Sequence, residues 1–419
     1  MRRPAKARAG ASPFFTGTIV MKAENERHER LMRLPPFLRG GFRPFFLGGA
    51  LWAPVVVTLW VLALTGALEL PTRFDPLAWH RHEMLFGYLG AVIAGFLMTA
   101  IPNWTGRLPI AGARLAGFAA LWLAARLAVL FSAVTGAWLA ALLDSGFLAA
   151  LAFFAGREVL AARNRNVPVV IAVALLALAD GIDHAQALGY AVPDGLGWRL
   201  GFALVLMLVS LIGGRIIPSF TRNWLAKQGR KQGLPTQPDR FDAAALAVTG
   251  LALIGWTVAP DTQATGAPLL AAGLLQAVRL SRWSGHRALR EPLVLILHLS
   301  YAWIPLGLLL LGGSAFLWCI PASSALHALS AGAMASMTLA VMTRATLGHT
   351  GRTLRADRST QAIYALVTVG ALLRFAAPML PFDYGHSIAA AGGMWSAAFL
   401  LFALAYGPKL LGARPDGRP

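Results

Sequence analysis

The chain has 419 residues but only one cysteine, Cys319. This scarcity excludes a disulfide framework and any zinc or iron–sulfur site built on several thiolates. Charged residues are also scarce, at 13% of the chain, whereas soluble globular domains carry roughly 25%. Hydrophobic residues make up 57%. The composition therefore excludes a soluble domain and predicts an all-α polytopic membrane protein, in which any metal must be held by histidine, methionine or carboxylate.

Acidic residues are the scarcer charged class, because 18 aspartates and glutamates face 37 lysines and arginines, which gives a formal net charge of +19. A soluble basic patch of this size would indicate nucleic-acid binding. Here, however, the basic residues fall in short segments between apolar runs, so we expect them to report membrane topology and expect no nucleic-acid partner. Residues 1–43 are basic and polar, and we predict that they form a disordered cytoplasmic tail.

Long apolar runs dominate the rest of the chain. A helix needs about 20 apolar residues to cross the ~30 Å hydrocarbon core of a lipid bilayer. Such runs lie at residues 45–68, 83–102, 112–134, 137–156, 167–188, 198–220, 242–259, 263–280, 291–313, 325–346, 360–380 and 385–406. The eighth run is barely long enough. The sequence therefore predicts a twelve-helix membrane domain over residues 44–408 and a short cytoplasmic tail over residues 409–419.

Lysine and arginine are concentrated in every second loop between these runs. The basic loops are 103–114, 157–166, 222–240, 279–290 and 352–358, and they alternate with connections that contain almost no lysine or arginine. Because short basic loops stay in the cytoplasm, this pattern predicts that both termini are cytoplasmic and that the protein lies in the bacterial inner membrane. The first loop, with Arg73 and Arg81, is a mild exception.

A weak internal repeat links the second and tenth runs. His82 precedes the Thr-Gly-Arg turn at 105–107 by 23 residues, and His327 precedes the same turn at 350–352 by 23 residues. That separation spans about 34 Å of helix, which is one membrane crossing. Trp198 stands in the same relation to Thr221 in the sixth run. Helices two, six and ten are four apart, which suits three four-helix units.

Histidines at membrane depth are the candidate ligands. Neutral imidazole is the usual protein ligand for haem iron and a good ligand for copper, and two histidines from packed helices can sandwich a haem. We predict His82 and His327 as the axial pair, with His80 beside them. The wider set of candidate metal ligands is His80, His82, His184, His298, His327 and His349. The alternative is that these histidines only cap helices or bond to backbone.

Charged side chains inside the apolar runs are the other candidates, because ionisable groups are costly in a membrane. Asp180, Asp183 and His184 share one helix face, and a carboxylate often orients a ligating histidine. The alternative is a structural ion pair between these acids and Arg126 or Arg215. Arginines within or at the edge of apolar runs could pair with haem propionates. They are Arg126, Arg215, Arg344 and Arg374, of which we assign Arg215 and Arg344 to the haem site.

His298 and Tyr301 lie at positions i and i+3 of the ninth run and face the same side of a helix. Such a pair can serve as a redox or proton relay. It can equally be a hydrogen-bonded packing contact, and both interpretations remain open from the sequence.

Four segments of the sequence resemble the NnrS family. They are FRPFF at 42–46, WHRHEMLFGY at 79–88, GRIIPSFTRNW at 214–224 and HALSAGAMASMTLAVMTRATLGHTGR at 327–352. The resemblance runs from about residue 40 to the C-terminus. It implies a polytopic membrane protein that contains haem and copper, responds to nitric oxide in denitrifying and other bacteria, and protects against nitrosative stress. The motif residues carried over are His80, His82, His298, His327, His349, Arg43 and Arg215.

Two functions remain open at this stage. The first is a haem-binding protein, with haem b and copper, that senses, handles or reduces nitric oxide and takes electrons from a donor that the sequence does not identify. The second is a haem-free transporter of a metal ion or small metabolite. Twelve helices in three units of four are also similar to the catalytic subunit of haem–copper oxidases and nitric oxide reductases. The paired histidines and the His-x-x-x-Tyr element of those enzymes are missing, which argues against direct oxidase chemistry.

Overall fold

The computed structural model describes residue 29 and residues 31–418. The prediction that residues 1–43 are a disordered tail falls mostly on residues outside this part and stays a prediction. The end of that segment is ordered, since Pro36–Leu38 forms a short 3-10 helix and the carbonyl of Leu38 accepts a hydrogen bond from the Gly112 N–H at 2.9 Å.

The described part of the chain is helical and contains no strand. Twelve long helices follow one another, and short helical turns at Ser132–Thr135, Gly285–Arg287 and Ala377–Met379 lie between them. The helices are α1 (Phe42–Leu64), α2 (Pro76–Thr105), α3 (Ala113–Leu130), α4 (Ala137–Ala161), α5 (Val167–Ala187), α6 (Leu196–Lys227), α7 (Arg240–Val258), α8 (Gln263–Ser281), α9 (Pro292–Gly313), α10 (Ala322–His349), α11 (Arg358–Ala376) and α12 (Tyr384–Leu411).

Eleven of these helices are long and apolar enough to cross a membrane, which confirms the all-α membrane architecture for the described residues. The helix outside this set is α8, which corresponds to the run that was barely long enough in sequence. Its buried face is polar, because Arg279 donates to Asp242 of α7 at 2.7 Å and to the Tyr301 hydroxyl of α9 at 2.7 Å. Gln276 donates to Thr249 of α7 at 2.8 Å. These bonds satisfy the polar groups internally, so α8 needs less apolar surface than a helix that faces lipid on most sides.

Helices α2 and α10 lie at the centre of the bundle. In each, 72% of the most apolar 18-residue window is buried, against 33% in α3 and α5. The two central helices meet directly, since the Tyr88 hydroxyl of α2 and the Thr338 hydroxyl of α10 are 2.5 Å apart. Helix α6 contacts both of them. The inner helices are therefore α2, α6 and α10, and their spacing of four helices along the chain fits three four-helix units. The units are not separate bodies, because α4 packs on α5, α8 on α9 and α12 on α1.

Each central helix contains a π-helical segment directly after a histidine. In α2 the segment is Glu83–Tyr88, following His82, and in α10 it is Ala328–Ala335, following His327. A π-helical turn holds an extra residue and changes the direction in which the flanking side chains point, and such turns are frequent at functional sites. The π-helical segments therefore begin directly after the two histidines that the 23-residue repeat relates in the sequence.

Candidate functional site

A cavity of about 670 Å³ opens between the central helices at the end of the bundle where α2 and α10 begin. His80 of α2 and His327 of α10 both line it. Most of the remaining wall is apolar and aromatic. It comes from α2 and α10 themselves and from α1, α6 and α12, which contribute Trp60, Trp198 and Trp395. A mostly apolar cavity of this volume, with a few converging polar groups, is typical of small-molecule and cofactor sites.

The two imidazoles in this cavity are held in fixed orientations. His327 Nδ1 lies 2.7 Å from the backbone carbonyl of Ser323, so Nδ1–H donates and the lone pair of the ring stays on Nε2. The His80 ring stacks on the Trp60 indole with 4.3 Å between the centroids and 22° between the planes. His80 Nδ1 is buried and makes no hydrogen bond to any described residue. Both rings therefore keep a nitrogen available to a ligand.

Five buried polar atoms on residues that line the cavity lack hydrogen-bond partners among the described residues. They are Trp60 Nε1, His80 Nδ1, Arg81 Nε, Arg374 Nη1 and Trp395 Nε1. Buried donors without partners are rare in folded proteins and cost about 1–3 kcal/mol each. Apart from His80 Nδ1, these atoms are N–H donors, and such a group around one cavity fits a bound molecule with anionic or acceptor groups.

Charge in the cavity supports the same conclusion. Arg81 and Arg374 line it and form no ion pair within the part of the chain that the structure describes. Asp75 is the acidic residue in the lining, and its carboxylate is used as the N-cap of α2, accepting from the Leu77 and Ala78 N–H groups at 3.0 and 2.9 Å. Two imidazoles and two unpaired guanidinium groups in an apolar cavity fit a haem with its propionates.

His82 does not line this cavity, so the predicted axial pair of His82 and His327 is corrected. Residues two apart on a helix point about 200° away from each other, and His80 and His82 accordingly face opposite sides of α2. The His82 side chain is fully buried. The ring contacts two carboxylates, with Nε2 2.7 Å from Asp144 Oδ2 of α4 and Nδ1 2.8 Å from Asp183 Oδ2 of α5.

A buried cluster surrounds His82 Nε2. Asp180 Oδ1 lies 3.7 Å from this nitrogen, and His184 Nε2 lies 3.4 Å from Asp144 Oδ2. Ligand atoms from His82, Asp144, Asp180 and His184 all lie within 4.8 Å of one another, and all four residues are buried. Imidazole and carboxylate donors of this kind suit zinc, iron, manganese or copper(II). His82 therefore lies next to Asp180, Asp183 and His184, the three residues that were predicted to share one helix face.

Arg126 is part of the same region, although not as the sequence suggested. Its guanidinium donates to Glu83 Oε2 at 2.7 Å and pairs with Asp144, rather than with the acids of α5. Arg215, the other arginine considered for those acids, donates to Asn166 at 2.8 Å. Sequence reasoning missed Glu83 and Asp144. The signal was present, because each is an isolated acid at or inside an apolar run, where an ionisable group needs a partner.

A second cavity of about 510 Å³ lies at the opposite end of the bundle. It is lined by Arg215, Arg344 and His349, together with Asn103 and Trp104. The assignment of Arg215 and Arg344 to the same site as His327 is therefore corrected. The reason is distance along the helix, since Arg344 follows His327 by 17 residues, or about 26 Å at 1.5 Å per residue.

His298 and Tyr301 bond to separate partners and make no hydrogen bond to each other in the described structure. His298 Nε2 lies 2.9 Å from the Thr221 hydroxyl of α6. The Tyr301 hydroxyl lies 2.9 Å from the Ser210 hydroxyl and 2.7 Å from Gln276 Oε1. The packing interpretation fits these contacts. No cluster of potential metal ligands in the described residues includes His298 or His349.

Comparison with protein families gives one result that covers nearly the whole chain. The family described as NnrS protein matches residues 36–414. Comparison with curated proteins gives no match. The family match includes all twelve helices, the cavity with His80 and His327, and the cluster around His82. The protein belongs to the NnrS family and is a multi-pass membrane protein of the nitric oxide response.

Proposed function

We propose that this protein binds haem b between His80 and His327 and acts in nitric oxide handling and resistance to nitrosative stress. One observation carries the proposal. Imidazoles from the two central helices line the same apolar cavity, and five buried polar atoms on its lining residues lack partners in the described structure. Bonding to backbone accounts for one nitrogen of His327, which donates to the Ser323 carbonyl, but not for the unpartnered Nδ1 of His80 or the unpartnered donors around it.

The side chains around the cavity have distinct roles in this proposal. The hydrogen bond from His327 Nδ1 to the Ser323 carbonyl fixes the tautomer and makes the ring a stronger ligand through Nε2. Stacking on Trp60 holds the plane of the His80 ring. Arg81 and Arg374 would pair with the propionates. His80 and His327 would hold a haem there, which would supply one-electron chemistry.

The membrane setting is the second part of the proposal. The alternation of basic and uncharged loops supports a bacterial inner-membrane protein with both termini in the cytoplasm. With that orientation the cavity with His80 and His327 lies at the periplasmic side, and the cavity with His349 lies at the cytoplasmic side. Electrons would reach the haem from a donor at the periplasmic surface, and nitric oxide, which is small and apolar, would arrive through the lipid bilayer.

Absorption spectroscopy tests haem binding directly. We expect the protein purified from haem-replete cells to show a Soret band of six-coordinate haem. His80→Ala and His327→Ala should each remove the haem or convert it to a five-coordinate form. His349→Ala is the matched control, because it removes the same residue type from the other end of α10, and its spectrum should match the wild type.

Three results would contradict the proposal. They are a wild-type protein without a Soret band, an unchanged spectrum in both His80→Ala and His327→Ala, and loss of haem in His349→Ala alone. The first would leave a haem-free transporter as the remaining function. The link to nitric oxide is tested separately by exposing cells that lack the protein to nitric oxide. Wild-type protein should restore growth, whereas His327→Ala should not.

A further inference from the structure

We propose that His82, Asp144, Asp180 and His184 form a second site that binds one divalent first-row transition-metal ion. This site lies outside the haem cavity, because none of its four residues lines that cavity. It joins α2, α4 and α5, whereas the haem cavity joins α2 to α10. The assignment uses only the contacts of the cluster and does not depend on the presence of haem.

The contacts of His82 provide the first argument. Both ring nitrogens face carboxylates, at 2.7 Å to Asp144 and 2.8 Å to Asp183. A neutral imidazole carries one N–H, so it can donate to only one of them. If Nδ1–H donates to Asp183, the lone pair of Nε2 faces the oxygen of Asp144, which also has only lone pairs to offer. A proton on Nε2 removes this repulsion, and so does a metal ion coordinated by both atoms, so the contact marks a place where the ring needs a positive charge.

Asp180 provides an independent argument. Its carboxylate is fully buried, and the Ser145 hydroxyl donates to Oδ2 at 2.6 Å. The other oxygen, Oδ1, lies 3.7 Å from His82 Nε2 and makes no hydrogen bond to any residue that the structure describes. A buried carboxylate oxygen without a partner is costly. Ser145 therefore holds Asp180 in an orientation that presents a free ligand atom to the centre of the cluster.

The charge of the cluster favours a divalent ion. Glu83, Asp144, Asp180 and Asp183 supply four carboxylates, and Arg126 supplies the one guanidinium that pairs with them in the described structure. With neutral imidazoles the region carries a formal charge of −3. Such a charge is unfavourable inside a membrane protein, where buried charges must be paired. A divalent ion would reduce it to −1 and would bring the carboxylates together.

The ligand types narrow the choice of ion. Two imidazole nitrogens and two carboxylate oxygens contain no sulfur, so they disfavour copper(I), which prefers thiolate and thioether ligands. They suit zinc, copper(II), iron(II) and manganese(II), and the intrinsic order of affinity places copper(II) above zinc and zinc above manganese. The Nδ1 contact of His82 with Asp183 matches the carboxylate–histidine–metal arrangement, in which an outer carboxylate orients the ligand.

Metal binding to the purified full-length protein tests the proposal. The protein is stripped with a chelator and dialysed against Zn²⁺, Cu²⁺ or Mn²⁺, and bound metal is measured by mass spectrometry and titration calorimetry. We expect one ion per chain, bound most tightly for Cu²⁺ and least for Mn²⁺. Asp183→Asn should weaken binding by roughly 10–100-fold, as expected for an outer partner. Asp180→Asn should weaken it further, because it removes a ligand.

A matched control comes from the protein surface. His386 and Asp383 form a similar pair, with 2.9 Å between His386 Nδ1 and Asp383 Oδ1, but both side chains are exposed. Asp383→Asn should bind metal like the wild type. Electron paramagnetic resonance of the Cu²⁺-loaded wild type adds a readout that needs no variant, and it should show coupling to the nitrogens of two imidazoles.

The outcomes separate this site from the haem site. Wild-type protein that retains haem but binds none of the three ions overturns the metal proposal alone, and so does a copper spectrum without nitrogen coupling. Equal metal affinity in Asp180→Asn and wild type also overturns it. Protein that binds one metal ion but never haem overturns the haem proposal alone. The size-exclusion profile of each variant shows whether a loss of metal reflects a loss of folding.

Discussion

Arg126 is a fully buried charged residue of the membrane domain, and the effect of removing it can be calculated. Its side chain is fully buried on α3, and it bonds to Glu83 at 2.7 Å and also pairs with Asp144. At 2.7 Å and an effective dielectric constant of about 20, one such pair is worth about 6 kcal/mol of Coulomb energy before the cost of desolvation. Arg126→Met keeps the volume of the side chain but leaves both carboxylates buried without a cation.

The expected cost is smaller than the Coulomb energy, because folding the wild type already pays for desolvating the arginine. Breaking a buried ion pair by removing one partner typically destabilises by about 3–5 kcal/mol. An unfolding entropy of about 2.1 cal/mol/K per residue gives about 0.9 kcal/mol/K for 419 residues. Arg126→Met should therefore lower the midpoint of thermal unfolding by about 3–6 °C.

Circular dichroism during heating in detergent, at one fixed heating rate for all variants, measures this shift. Arg157→Met is the matched control, because Arg157 pairs with Glu158 at 2.7 Å but its side chain is 56% exposed, and an exposed pair contributes at most about 1 kcal/mol. Adding Glu83→Gln to Arg126→Met should restore part of the lost stability, since it removes one of the unpaired charges. Equal midpoints for Arg126→Met and Arg157→Met would refute the reasoning.

Three further predictions concern other parts of the molecule. Gly197→Ala should destabilise the protein by about 1–3 kcal/mol, because the new Cβ would lie 2.7 Å from the Asp183 Cα. Gly146→Ala is the control and should have little effect, because the space around Gly146 is open. Thermal unfolding compares the two variants. Asp357 caps α11 by accepting from the Thr360 N–H at 2.8 Å, and hydrogen bonds from Thr360 lower its pKa. The stability that Asp357 contributes should be fully present above the ordinary aspartate pKa of about 3.9, and it should be lost as the pH falls through the lower pKa of Asp357 in the folded protein. Asp357→Ala should therefore cost about 1 kcal/mol at neutral pH and less in acid. Unfolding measured at several pH values tests this. A reporter fused after Arg230 should be active only as a cytoplasmic fusion, and periplasmic activity there would overturn the orientation.

Much of the fold could be predicted from the sequence because a membrane imposes simple rules. Each crossing must satisfy its backbone hydrogen bonds within a helix of sufficient apolar length. Counting apolar runs therefore located all twelve long helices, with boundaries within seven residues of the observed ones. The depth of a residue follows from its position along a helix. The same relation puts His327 and Arg344, which are 17 residues apart on α10, at different depths in the membrane. The sequence alone was therefore enough to exclude Arg344 from the haem site.

The sequence by itself determined the helices, the two layers of histidines and the presence of costly charges at membrane depth. Only the tertiary structure decided which of these groups meet. His80 and His82 are two residues apart and equally plausible as ligands in sequence, but the rotation of α2 directs His80 to α10 and His82 to α4 and α5. That rotation results from packing against the neighbouring helices and from the π-helical turn after His82. Neither can be read from a local pattern, because both depend on side chains that are distant in the chain.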